Sequence, residues 1–228
     1  LALSNIFPMV TGSGSGALDI PFTTRTGKIL LLVVAGDVSS TVESPYTITY
    51  DLGGSGNVFT QHKTANGGEA STRPRLVIAS VSGVPVAGVP KNIRFATAAS
   101  SLSNWNILVA DLPAWWSGTI GNVDASAAHT TKASHTSPSI VTGAAKSLLV
   151  GCGGTLDATL GPLALSGQGG AWSPLVPQTA SGVMATNWQA VFCSKIVPRK
   201  GATVDLGLAL ASGGNANDWS AGVLEVRP

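Results

Sequence analysis

The chain of 228 residues carries 13 Lys and Arg against 11 Asp and Glu, and only 11% of its residues are charged, where an average soluble domain has roughly 25%. So few and so scattered basic residues cannot displace counterions along a duplex, which excludes nucleic acid as a partner, and the pI near 8.7 reflects a balance of few charges. Leu, Ile, Val and Phe still supply about a quarter of the chain, above the roughly 20% below which a core fails to form.

The opening segment, LALSNIFPMVTGSGSG, has no basic n-region and no sustained apolar run, so it is not expected to be a signal peptide. Gly12, Gly14 and Gly16 follow no strand pattern and precede no helix, which fails the context of a dinucleotide-binding loop, and no Gly-Lys-Ser/Thr occurs. Residues 1–26 are therefore read as an N-terminal arm with a first strand. Next comes KILLLVVAGD from Lys28, a strand with Leu31 and Val33 as core candidates. Its apolar run, Ile29 to Ala35, is seven residues, against about 20 needed to span a bilayer, so membrane insertion is not expected. Thr47 to Tyr50 alternate before the Asp51-Leu52-Gly53-Gly54 turn signal. RLVIASVSGVP from Arg75, then Ile93, Phe95 and Thr97, then SNWNILVADL with Trp105 and Val109 continue the strand pattern. PAWWSG closes the unit.

From Ala145 the pattern recurs. AKSLLVGCGG matches the first strand, with Leu148 and Val150 in the places of Leu31 and Val33. QAVFCSKIVPR from Gln189 matches the Arg75 segment, and Leu206, Leu208 and Leu210 match Ile93, Phe95 and Thr97. NDWSAGVLEV, with Trp219 and Val223, matches the Trp105 and Val109 segment. Shared order over four segments indicates a tandem duplication. Between the units, GTIGNVDASAAHTT is small, polar and without strand periodicity. The expected organisation is a first β-sandwich over 27–117, a linker over 118–136 and a second β-sandwich over 137–228. No window sustains helical spacing, so the expected class is all-β, two antiparallel sandwiches of jelly-roll or Ig-like type. An exterior so poor in Lys and Glu protects its sheet edges weakly, which points to a subunit covered by neighbours.

Chemistry is sparse. His62, His129 and His135 have no Cys, Asp or Glu at zinc-ligand spacing, so no metal or cofactor is expected. No Gly-x-Ser-x-Gly elbow is present and the acids are spread singly; a polysaccharide hydrolase would need distant carboxylates folded together, and the chain is read as no enzyme. Cys152 and Cys193 sit in apolar runs and read as small core fillers, with their pairing left open. Of the six tryptophans, Trp105 and Trp219 read as core. Trp172 and Trp188 read as core or rim, and at the rim they are candidates for an interface or a glycan. Trp115 and Trp116 are adjacent, so at least one ring is expected to leave the local core, to dock between units or onto a sibling chain, or to stack on a sugar.

The K-x-L-L-V opening strand, the Gly/Ser/Thr-rich alternating strands and the closing N-x-W…V-L-E-V strand in tandem resemble β-sandwich modules of structural proteins from tailed bacteriophages and gene transfer agents: tail-tip, fibre, head-spike and decoration proteins. The resemblance covers most of both units and rests on pattern and composition. It implies a rigid, non-enzymatic virion component, extracellular once released. Its expected partners are sibling chains in a homo-oligomer, other virion proteins and a host glycan. A secreted carbohydrate-binding module is the alternative from another class.

Overall fold

The computed structural model describes residues 2–8, 10–14, 17–38, 46–50, 57–66, 75–86, 90–97, 102–116, 120–156, 163–177, 179–181, 188–210 and 216–228. Among them there are strands and no helix. The first half holds β1 (Val10–Gly14), β2 (Ala17–Phe22), β3 (Lys28–Val38), β4 (Tyr46–Tyr50), β5 (Asn57–Val58), β6 (Thr60–Asn66), β7 (Arg75–Ser82), β8 (Lys91–Thr97) and β9 (Leu102–Asp111). The second half holds β10 (Ile120–Lys132), β11 (Ser134–Thr136), β12 (Ile140–Val141), β13 (Ser147–Leu156), β14 (Leu163–Ser166) and β15 (Ser173–Pro174). It continues through β16 (Thr179–Ser181), β17 (Trp188–Val197), β18 (Thr203–Val204), β19 (Gly207–Leu210) and β20 (Ala216–Val226).

These strands pair antiparallel throughout. A large sheet in the order β1-β9-β3-β7-β6 packs on a smaller one, β2-β8-β4-β5. A second large sheet, β10-β20-β13-β17-β15 with β16 also on β17, packs on β11-β19-β14 and the short pair β12-β18. The two large sheets then pack on each other. Leu30, Leu32, Val34, Leu76, Ile78 and Leu108 from one meet Leu148, Val150, Cys152, Phe192, Leu224 and Val226 from the other in a single buried cluster.

This layering explains the unbroken apolar run of β3. Ile29, Leu31, Val33 and Ala35 face the outer cluster with Val109, while Leu30, Leu32 and Val34 face the middle one. A strand covered on both faces has no polar side to present, so the usual alternation disappears. Burying each such Leu or Val contributes roughly 1.5–3 kcal/mol against exposure. The same loss of alternation corrects the register expected from the sequence match. The sequence match sets Leu31 against Leu148, yet Leu31 faces an outer cluster and Leu148 the middle one; it is Leu149 that faces outward with Trp219 and Val223. Asp111 lies opposite Ile29 and Glu225 opposite Leu149. Those partners match Ile29 with Leu149, a slip of three residues from the sequence match; any odd slip in a strand exchanges its faces, and a run apolar on both sides gives a sequence comparison nothing to detect it with.

Two further expectations change. The segment read as a linker, 118–136, contains β10 and β11 from residue 120 onward, and β10 is paired along nearly its whole length with β20. Its small polar residues mark an edge strand, mostly half-buried, whose alternate Val123, Ala125 and Ala127 turn toward the middle cluster, with Ala125 buried in it. The N-terminal arm is folded back on the body. Leu3 is buried in the middle cluster, Ser4 bridges Asp111, Phe7 N–H donates to Val109 O at 2.9 Å, and β1 pairs with β9.

Connectivity fixes the relative direction of the halves. Leu112 N–H donates to Lys28 O at 2.7 Å, so the chain leaves β9 beside the start of β3. Ile120 pairs with Val226, which pairs with Leu148 near the start of β13. Four chain steps from Trp116 to Ile120 reach at most about 14 Å, whereas the length of β3 is about 33 Å. The starts of β3 and β13 therefore share one end of the molecule, called here the lower end.

Candidate functional site

At the lower end each half buries one carboxylate, and each gathers the loops around it. Asp111 ends β9. Its Oδ1 accepts from Thr24 Oγ1 at 2.5 Å, and its Oδ2 accepts from Arg25 N–H at 2.8 Å and Asn5 Nδ2 at 3.1 Å. Glu225 holds the matching place in β20. Its Oε1 accepts from Ser147 Oγ at 2.7 Å, Gly143 N–H at 2.8 Å and Ala144 N–H at 3.2 Å; its Oε2 accepts from Arg227 Nε at 3.0 Å and Asn122 N–H at 3.1 Å. Burial pushes the Glu225 carboxyl up, but the bonds from Ser147, Asn122, Arg227 and Ala144 outweigh it and hold the group below the ordinary glutamate value. A Cβ at Gly143 would stand 2.2 Å from the Arg227 guanidinium, so a larger residue there would displace that side chain from Glu225. Both acids are fully buried and hydrogen-bonded to the loops around them, which they organise.

The adjacent tryptophans sit in a turn at this end, not in a strand. Trp116 is 1% exposed and lies in the middle cluster between the large sheets, whereas Trp115 is 37% exposed. Trp116 N–H donates to Pro113 O at 3.0 Å, and the Lys28 ammonium donates to the carbonyls of Ala114 (2.8 Å) and Trp116, which pins the turn. Trp116 is thus an internal wedge, and Trp115 is the ring of the pair that reaches solvent.

A second polar cluster closes the side of the second half. Lys195 runs from β17 along the inside of the outer layer, and its ammonium lies 4.1 Å from the Trp172 ring centroid. It donates to Gln168 O at 2.5 Å and Gly170 O at 3.2 Å. Asp205 Oδ1 accepts from Gln168 N–H at 2.8 Å, its Oδ2 accepts from Ser139 Oγ at 3.3 Å, and its backbone carbonyl accepts from Trp172 Nε1 at 3.0 Å. Desolvation lowers the Lys195 pKa to about 8 against the pull of Asp205. Trp172 is buried in the outer core, with Gly151 leaving room beneath its ring. Cation–π contact and two carbonyl acceptors make this a fastening for the 167–172 loop. Sequence reasoning missed Lys195 and Asp205, because Lys in an apolar run and Asp in a turn carry no local mark of meeting.

The remaining candidates are dispersed. Trp105 packs half-buried against the outer core of the first half, and Trp219 is fully buried in that of the second. The Trp188 backbone pairs with Leu156 and Ser181, and its side chain lies outside the described residues. His62 bonds Ser80 Oγ at 2.7 Å; His135 bonds Ser126 Oγ at 2.9 Å and stacks on Trp219. Desolvation lowers both histidine pKa values. The His129 side chain lies outside the described residues. Cys152 and Cys193 are free, buried and on opposite faces of one sheet, the first toward the middle cluster and the second toward an outer one. Burial raises both thiols, Cys193 to about 12. Among the described residues no three His, Cys, Asp or Glu side chains group as a metal site, and no helix is long and apolar enough to cross a membrane.

No family model, curated protein or solved structure matches this chain.

Proposed function

We propose that the chain is a non-enzymatic structural subunit of a tailed-phage or phage-like particle, a fibre, spike, decoration or tail-tip component, made of two tandem sandwiches related by duplication. The strand orders support the duplication. β1-β9-β3-β7-β6 is answered by β10-β20-β13-β17-β16, and β2-β8-β4 by β11-β19-β14, with Asp111 and Glu225 at matching places. The observation that carries the assembly reading is the outward face of the β11-β19-β14 sheet. Leu163, Leu165, Leu208 and His135 point inward, leaving Ser134, Thr136, Ala164, Ser166 and Ala209 outside, with Ser166 covering Gly207 and no charge among them. A flat face of small uncharged groups costs little to desolvate against a sibling chain. Light scattering on the purified chain tests it: a defined oligomer is expected, and a clean monomer at high concentration counts against it. Antibody labelling of intact particles then places it in a virion.

The exposed ring of Trp115 favours a second reading, a carbohydrate-binding module acting alone. Glycan-array binding by the monomer, abolished by Trp115→Ala, distinguishes that reading from assembly.

A further inference from the structure

The lower end is cationic. Arg25, Lys146, Arg199 and Lys200 are exposed there, and Lys28 and Arg227 are partly so. Arg25 and Lys28 stand in and after the loop entering β3, and Lys146 precedes β13. Arg199 and Lys200 form the turn after β17, which is tied to the Lys146 loop by Thr142 Oγ1 donating to Arg199 O at 2.8 Å and Gly201 N–H donating to Thr142 O at 2.8 Å. Of the carboxylates that the described residues bring to this end, Glu225 is engaged with Arg227 and Asp111 is buried, so neither offsets the exposed Arg25, Lys146, Arg199 and Lys200. Apolar surface is exposed beside them, in Trp115 and in Val86 at 61%.

We infer that the lower end binds an acidic polysaccharide, with the Trp115 ring against a sugar face and the exposed cations on carboxylates of the polymer. The inference deepens the carbohydrate reading and does not depend on particle assembly. Three features favour this occupant. Trp115 is held ready, because its turn is pinned by Lys28 and anchored by buried Trp116, so little ordering is lost on binding. The cations are few and spread over several loops, which suits a polymer bearing widely spaced charges better than a duplex with one charge per roughly 1.7 Å. A single exposed ring gives one stacking platform, whereas single-stranded nucleic acid is held by stacking several successive bases.

Biolayer interferometry with immobilised polygalacturonate, neutral dextran and a single-stranded oligothymidylate tests it on the full chain. The expected result is binding to polygalacturonate that weakens by about tenfold between 50 and 300 mM salt, with little binding to dextran. A combined Arg25→Ser, Lys146→Asn, Arg199→Ser, Lys200→Ser variant should lose about tenfold or more, and Trp115→Ala alone should lose several-fold. Asparagine is chosen at 146 because φ there is +58°, which asparagine tolerates; urea denaturation verifies that each variant is folded. Absence of binding, or binding unchanged in the folded charge variant, overturns the inference. Equal binding to dextran overturns the acidic specificity while leaving the carbohydrate reading standing. Tighter binding to the oligothymidylate assigns the end to nucleic acid instead.

Discussion

Replacing Glu225 by Gln tests whether the buried carboxylate organises the lower end of the second half. The substitution keeps size and shape. If the amide oxygen takes the place of Oε1, it still accepts from Gly143, Ala144 and Ser147, but the new –NH₂ then faces the Asn122 N–H at 3.1 Å and Arg227 Nε at 3.0 Å. Arg227 is a third exposed and Asn122 is exposed, so both donors turn to water. The three surviving bonds fall from charge-assisted to neutral, roughly halving each. A loss of about 2–4 kcal/mol at pH 7 follows from these magnitudes. The pH dependence has a definite sign. The folded-state pKa of Glu225 is depressed, so its contribution is complete above the unfolded value, about 4.3, and is lost as pH falls through the folded value. The gap between wild type and Glu225→Gln should therefore be widest at neutral pH and narrow below about pH 4. Urea denaturation followed by tryptophan fluorescence at pH 7 and pH 3 measures both, and taking the difference cancels the other acids. A variant within about 0.5 kcal/mol of wild type at pH 7, or a gap that does not narrow in acid, refutes the reasoning.

Trp116→Ala should cost about 3–5 kcal/mol, as truncation of a fully buried aromatic does, while Trp115→Ala should cost under about 1 kcal/mol; equal losses in urea denaturation would contradict their placement. Lys195 has its folded pKa lowered from 10.5 to about 8, so its own contribution to stability rises as pH goes from about 8 to 10.5, against the opposite slope of Cys152 and Cys193, whose thiols burial raises. Wild type should therefore gain on Lys195→Met over that range, and a difference that does not change with pH speaks against the buried amine. Cys152 and Cys193 should resist a disulfide reagent at pH 8 in the native protein and both react in denaturant, with equal mass before and after reduction; rapid native labelling of either counts against their burial.

The strands were legible where apolar residues alternate, as at Leu206, Leu208 and Leu210, and where Gly and Pro mark turns. β10 was not, because an edge strand of Asn, Asp, Ser, Ala and His has the composition of a loop, and its pairing to β20 is a long-range fact. The face of each inner residue was equally hidden. Leu30 and Leu31 differ in nothing but parity, and only the stacking of the large sheets tells them apart. At the candidate sites, Trp105 and Trp219 both read as core, yet Trp219 is fully buried and Trp105 only half so, and adjacent Trp115 and Trp116 could not be ranked without the turn that separates them. The Lys195 cluster needed β17, the 167–172 loop and the β18–β19 connection to converge, and no spacing rule encodes that.

The apolar middle layer also constrains how the polypeptide can be made. As residues up to about 116 emerge from the ribosome, the large sheet of the first half closes over its outer partner but shows Leu30, Leu32, Leu76, Ile78 and Leu108 bare to water. That surface is quenched only when the segments through β20 arrive, since Leu224 and Val226 near the C-terminus are among its cover. A nascent chain stalled halfway is therefore a sticky species, and a gene truncated between the halves should yield inclusion bodies, not a soluble half-protein.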